Sequence, residues 1–99
     1  MNSLPAIAYS GLQAASTQLG VAAHNIANEQ TPGFRRQQVV QEAQPTGGVQ
    51  ASVVQADQAG VSLPQEVVQQ MVASYAYKAN ALTLQTHQRM LGSLLDTQA

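Results

Sequence analysis

The chain has 99 residues, a formal net charge of −1 and a pI near 6.0, with 44% hydrophobic and only 9% charged residues. Having no cysteine, it holds no disulfide scaffold, no thiolate zinc site and no thiol nucleophile. Four Lys and Arg in total give no basic field for nucleic acid or anionic lipid.

Alanine and glutamine supply 16 residues each, so small apolar and neutral polar side chains do the work that larger hydrophobes and charges usually share. Ordinary domains carry roughly 25% charged residues, and a surface with so few scarcely repels its own copies. No run of about 18 apolar residues exists to span a bilayer. The start, Met1-Asn2-Ser3-Leu4-Pro5, lacks the cationic segment and apolar core of a secretory signal, so Sec-type export is not expected.

Residues 1–29 form the first segment, with a helix predicted over 3–29. Ser3 is its N-cap candidate and Pro5 sits in the first turn, where a missing N–H costs little. Ala8, Leu12, Ala15, Leu19, Ala22 and Ile26 recur in alternating steps of four and three, a heptad seam that is half alanine. Leu4, Ile7 and Gly11 add a second contact face. Small seam residues let a partner helix come close but bury little area each, so this helix is weak alone.

Thr31-Pro32-Gly33-Phe34 then fits a type II turn, with proline fixing the first central residue and glycine supplying positive φ at the second. It ends the helix and launches Phe34 into an extended segment. Asn25 and Asn28 lie on the last helical turns, where carboxamides satisfy orphan carbonyls or reach a neighbouring chain.

Residues 30–61 are too long for an ordinary helix connection. Phe34 to Ala43 and Val49 to Ala56 are rich in Val and Gln, and Pro45-Thr46-Gly47-Gly48 between them is a turn signal. The segment reads as a short β-hairpin or a flexible insertion, since a lone hairpin is marginal in water and Gln-rich stretches are often disordered.

Residues 62–99 form the last segment, with a helix predicted over 62–97. Ser62-Leu63-Pro64-Gln65 is a capping-box pattern with proline again in the first turn. One apolar stripe runs through Val68, Met71 or Val72, Tyr75, Ala79, Leu82 and Thr86, and a second through Tyr77, Leu84, Leu91 and Leu95. Only Glu66, Lys78, Arg89 and Asp96 are charged over this span, so little of its circumference suits water. At 1.5 Å per residue the helices are on the order of 40 and 54 Å long, against a radius of gyration near 13 Å for a compact chain of about 100 residues. The expected fold is mainly α: two long helices paired as an antiparallel coiled coil, rod-shaped, with stripes left for other chains to cover.

The stretch Ser10-Gly11-Leu12-Gln13-Ala14, followed by Asn25-Ile26-Ala27-Asn28-Glu29-Gln30-Thr31-Pro32-Gly33-Phe34-Arg35, resembles the N-terminal signature of the bacterial flagellar axial proteins, the rod, hook and hook-associated family. Val61-Ser62-Leu63 with Glu66, then Ala76-Tyr77, Ala79-Asn80-Ala81, Gln85-Thr86, Met90-Leu91 and Leu94-Leu95, is similar to its C-terminal motif. The two matches cover about two thirds of the chain. The family often has asparagine at His24, arginine at Tyr75 and acidic residues near Gln88 and Arg89, and its larger members insert β-domains where this chain has a short segment. The size is that of the small proximal rod proteins.

The resemblance implies a structural subunit of the flagellar basal-body rod, not an enzyme, built by helix packing into a tubular polymer. Its implied partners are other copies, neighbouring rod proteins and the flagellar type III export apparatus, with passage in an unfolded state and no cleaved signal. The implied location is the basal body, periplasmic in a Gram-negative cell. The assembly interface is expected at Leu12, Leu19, Asn25, Ile26, Asn28, Tyr77, Asn80, Leu84, Met90, Leu91, Leu94 and Leu95, with the turn at Thr31, Pro32, Gly33 and Phe34. The competing reading is a soluble helical adaptor or export chaperone that binds an amphipathic partner helix; such a protein would carry a more acidic surface.

Other chemistry is poorly served. A metal site would need both His24 and His87 plus carboxylates drawn from separate helices. No serine lies in a nucleophile elbow, and Gly47-Gly48 lacks the Lys and helix of a phosphate loop. Arg35-Arg36 reads as an exposed strand start or salt-bridge donor, and Tyr75 and Tyr77, on different helix faces, as packing residues. No cofactor and no nucleic-acid partner is expected.

Overall fold

A computed structural model describes residues 4–98, and side chains through Asp96. The order is α1 (Leu4–Ala27), β1 (Gln37–Ala43), β2 (Val49–Gln55) and α2 (Leu63–Gln98). The proposed cap Ser3 lies outside the described residues. The segment between the helices is an ordered antiparallel hairpin, with Val39 opposite Val53 and Gln41 opposite Ala51. Its Val-rich strands gain what a lone hairpin lacks, because both pack on α1.

The helices lie against each other along α1 in antiparallel sense, with Gly11 beside Asn80 and Asn25 bonded to Glu66. Ala8, Ala15 and Ala22, spaced seven apart, are buried, and Ala73 on α2 is wholly buried. The seam is therefore right in phase, but its alanine half forms the contact, while Leu12, Leu19 and Ile26 are half-buried at its margin. Small residues bring the backbones close: a Cβ on Gly11 would overlap the Asn80 carboxamide.

The principal extents are 63 × 25 × 13 Å and the radius of gyration is 17.4 Å, so the chain is a rod. On α2 the inward line begins with Glu66 and Ala73, seven apart, and neither belongs to the stripes read from apolar periodicity. The stripe through Val68, Met71, Val72, Tyr75 and Leu82 faces outward, with Tyr75 79% exposed. At the start of α2 the Glu66 N–H donates to the Ser62 carbonyl at 3.0 Å, closing the first turn. Neither side-chain bond of the predicted capping box between Ser62 and Gln65 is among the hydrogen bonds of the described residues.

Candidate functional site

Thr31-Pro32-Gly33-Phe34 forms the type II turn: Gly33 has φ 72°, and the Phe34 N–H donates to the Thr31 carbonyl at 3.2 Å. The end of α1 prepares it. Asn28 Nδ2 donates to the His24 carbonyl at 2.9 Å, satisfying an orphan helix carbonyl, and Thr31 Oγ1 donates to Asn28 Oδ1 at 3.2 Å. Phe34 stands edge-on to His24, ring centroids 5.5 Å apart. The Gly60 N–H then donates to the Phe34 carbonyl at 2.9 Å, drawing the chain entering α2 alongside the chain leaving α1.

This routing brings together three polar residues from three parts of the chain. Asn25 and Glu66 are 0% and 1% exposed. Asn25 Oδ1 accepts from the Gln37 N–H at 2.8 Å, and Asn25 Nδ2 donates both to the Gln37 carbonyl and to Glu66 Oε1, each at 2.9 Å. Glu66 Oε2 accepts from Arg36 Nε at 2.9 Å and lies 2.8 Å from Arg36 Nη2. Both Glu66 oxygens and the whole Asn25 carboxamide are thus engaged, which is the condition for burying such groups without a net penalty. Asn25, Arg36 and Glu66 form a clasp that fixes the end of α1, the root of β1 and the start of α2 at one point.

Ser10 fixes the far end of the hairpin. Its Oγ donates to the Ile7 carbonyl at 2.7 Å and accepts from the Val49 N–H at 3.1 Å. Gly48, at φ 85°, passes so close that a Cβ there would lie 2.6 Å from Ser10 Oγ.

The residues expected at an assembly interface divide by depth. Asn25 is fully buried in the clasp, and Leu12, Leu19, Ile26, Asn28, Asn80 and Leu84 are half-buried along the helix pair. Asn80 Nδ2 donates to the Ala76 carbonyl at 2.9 Å. Tyr77, Met90, Leu91, Leu94 and Leu95 are exposed. Of these candidates the clasp draws in Asn25 alone; Arg36, read from the sequence as an exposed strand start or salt-bridge donor, joins it as a salt-bridge donor to Glu66. Sequence reading missed Glu66 as its partner, although Glu66 is the one carboxylate in the first turn of α2, where a charge hidden at a helix start needs a cation and a donor beside it.

Among the described residues no group of three or more metal-ligating side chains is placed to hold a metal ion, and no helix is long and apolar enough to cross a membrane. The recesses are shallow; the one beside the clasp holds about 250 Å³ between Gln18, Gln37 and Gln69, with Arg36 and Glu66 also on its wall, and two others against α2 take in Leu12, Leu19, Met71, Tyr75, Lys78 and Leu82.

No match to the chain is found among curated proteins. Residues 6–35, which take in most of α1, the turn and the first residues of the extended segment, match the family described as flagella basal body rod protein, and this match supports the flagellar rod protein family for this chain.

Proposed function

We propose that the chain is a structural subunit of the flagellar basal-body rod that assembles by helix packing into a helical tubular polymer. The observation that carries the reading is the pairing of a rod-family match over residues 6–35 with an α2 whose outward stripe, Val68, Met71, Val72, Tyr75 and Leu82, stays uncovered within one chain. A contiguous exposed apolar face marks an interaction surface, and one charged residue of α2, Lys78, borders it beside Met71, Tyr75 and Leu82. Neighbouring rod proteins and further copies are its natural covers. Export through the flagellar type III apparatus without a cleaved signal, and a place in the periplasmic part of the basal body, follow from the same family reading.

The test is complementation of a strain lacking the gene. Tyr75→Glu with Leu82→Glu should leave the isolated chain as helical as the parent, because neither side chain is buried, yet abolish motility and remove the protein from purified basal bodies. Full motility in that double variant would overturn the proposal that this face drives assembly. Motility unaffected by deletion of the gene would overturn the rod assignment itself.

A further inference from the structure

We propose that the free edge of β2 is a docking strand for a second copy of this chain, the two β2 strands pairing antiparallel about Val53 to make one four-stranded sheet. The proposal does not rest on the rod assignment.

The hairpin's bonding pattern sets which backbone groups are free. The Ala56 N–H donates to the Arg36 carbonyl at 2.8 Å and the Gln44 N–H to the Gly48 carbonyl at 2.9 Å. With Gln37 opposite Gln55, the even-numbered residues of both strands therefore bond across the hairpin, and the odd-numbered residues turn their N–H and C=O outward.

The two edges are guarded unequally. On β1 the outward groups of Gln37 are both held by Asn25, Glu42 places a charge on the strand, and Pro45 lies two residues beyond its end. These are devices that protect an edge from a second chain. Strand β2, Val49–Gln55, carries no charge and no proline. Its one outward donor held by α1 is the Val49 N–H, bound to Ser10. That leaves Ala51, Val53 and Gln55 open.

Those three residues fit themselves. Antiparallel pairing about Val53 sets Val53 against Val53 of the second copy, and Ala51 against its Gln55 in both directions, so each pair exchanges two N–H···O bonds. The next pair would require the Val49 N–H, which Ser10 already occupies, so the register ends there. Shifting by one residue in either direction leaves one of the three unmatched within the strand. Ser52 and Val54 then face each other across the new junction, and no like charges meet.

The approach is open. The recess beside the start of β2, about 420 Å³, is bounded by Ser10, Gln13, Ser16 and Thr17 of α1 and by no residue of α2. Apart from His24, α1 has no ionisable side chain other than Tyr9, so two α1 helices brought side by side beneath a joined sheet do not repel.

Because the chain has no cysteine, single substitutions report the pairing directly. In Val53→Cys the two Cα atoms would lie about 5.5 Å apart, within the disulfide range of about 4.4–6.8 Å. In Val54→Cys the copies are offset by two residues, at about 8 Å, beyond that range. Under mild oxidation Val53→Cys should form a covalent dimer at least about tenfold faster than Val54→Cys or Gln41→Cys, the latter reporting the β1 edge. Sedimentation should show the unmodified chain dimerising with concentration, and Val53→Pro, whose lost N–H serves no bond within the hairpin, should remain monomeric with unchanged helicity.

Equal cross-linking at positions 53 and 54, fastest cross-linking at 41, a parent chain that stays monomeric, or a Val53→Pro dimer as tight as the parent would each overturn the proposal. The last outcome would assign association to the helix faces instead. Since Val53→Cys is nearly isosteric, its result stands even if the proline variant fails to fold.

Discussion

Asn25 meets Gln37 as a neighbouring strand would: its carboxamide accepts from the Gln37 N–H at 2.8 Å and donates to the Gln37 carbonyl at 2.9 Å. One side chain at the end of a helix thereby completes the first rung of a sheet edge, and its remaining N–H is spent on Glu66. Asn25→Ala should leave those groups unpaired in a buried place and destabilise the chain by about 1–3 kcal/mol. Asn25→Asp should cost more, since it loses both donated bonds and sets a second carboxylate against Glu66. Urea titration followed by circular dichroism measures both, and an Asn25→Asp variant as stable as the parent would refute the rung.

The ion pair predicts a non-additive cycle. Arg36→Met leaves a carboxylate that is 1% exposed without its cation, which costs about 3–5 kcal/mol for a buried pair broken on one side. Combined with Glu66→Gln, whose carbonyl oxygen still accepts from Asn25, the same Arg36→Met should cost distinctly less. Additive costs in chemical denaturation would show that the pair is not coupled.

Gly33 and its turn separate backbone strain from crowding. A Cβ on Gly33 meets nothing within 4 Å, yet φ is 72°. Gly33→Val should therefore destabilise by about 1 kcal/mol or more through conformation alone, while Gly33→Asn, which tolerates positive φ, should recover most of the loss. Thermal melts of the two variants decide it; equal stabilities would remove the turn from the account.

Two glycines of α1 should respond in opposite directions. Gly20 lies exposed in mid-helix with no atom within 4 Å of a Cβ, so Gly20→Ala should stabilise by about 0.5–1 kcal/mol. Gly11→Ala must push aside the Asn80 carboxamide, which donates to Ala76, and should destabilise despite the better helix propensity. Denaturation midpoints of both variants check the contrast.

The elements were legible in the sequence because each had local punctuation. Proline and glycine at 32 and 33 fixed the turn, and Leu63-Pro64 opened α2 one residue from its expected start. The seam was visible as a period, yet periodicity weights large side chains, and in this pair the tightest contacts belong to Ala8, Ala15, Ala22 and Ala73. The clasp was legible in part: Asn25 and Glu66 each stood out through a motif, yet neither motif pointed to the other. What joined them was a separation of 41 residues, which no local pattern encodes. The hairpin's order depends on Ser10 and Asn25 holding its two ends, again contacts made at a distance.

The helices differ in length, 24 residues against 36, and their pairing from Asn25–Glu66 to Gly11–Asn80 sets Leu4 level with His87. Beyond that point every described side chain of α2, Gln88 through Asp96, is exposed. Amide hydrogens along α2 should therefore exchange with solvent on two clocks. Those between Glu66 and Leu84 are released by opening the helix pair, whereas those of the last three turns are released by fraying of a single unsupported helix. Whatever lies against Met90, Leu91, Leu94 and Leu95 in an assembly should slow the second clock and leave the first almost unchanged, so the far end of α2 records neighbour contact independently of the chain's own fold.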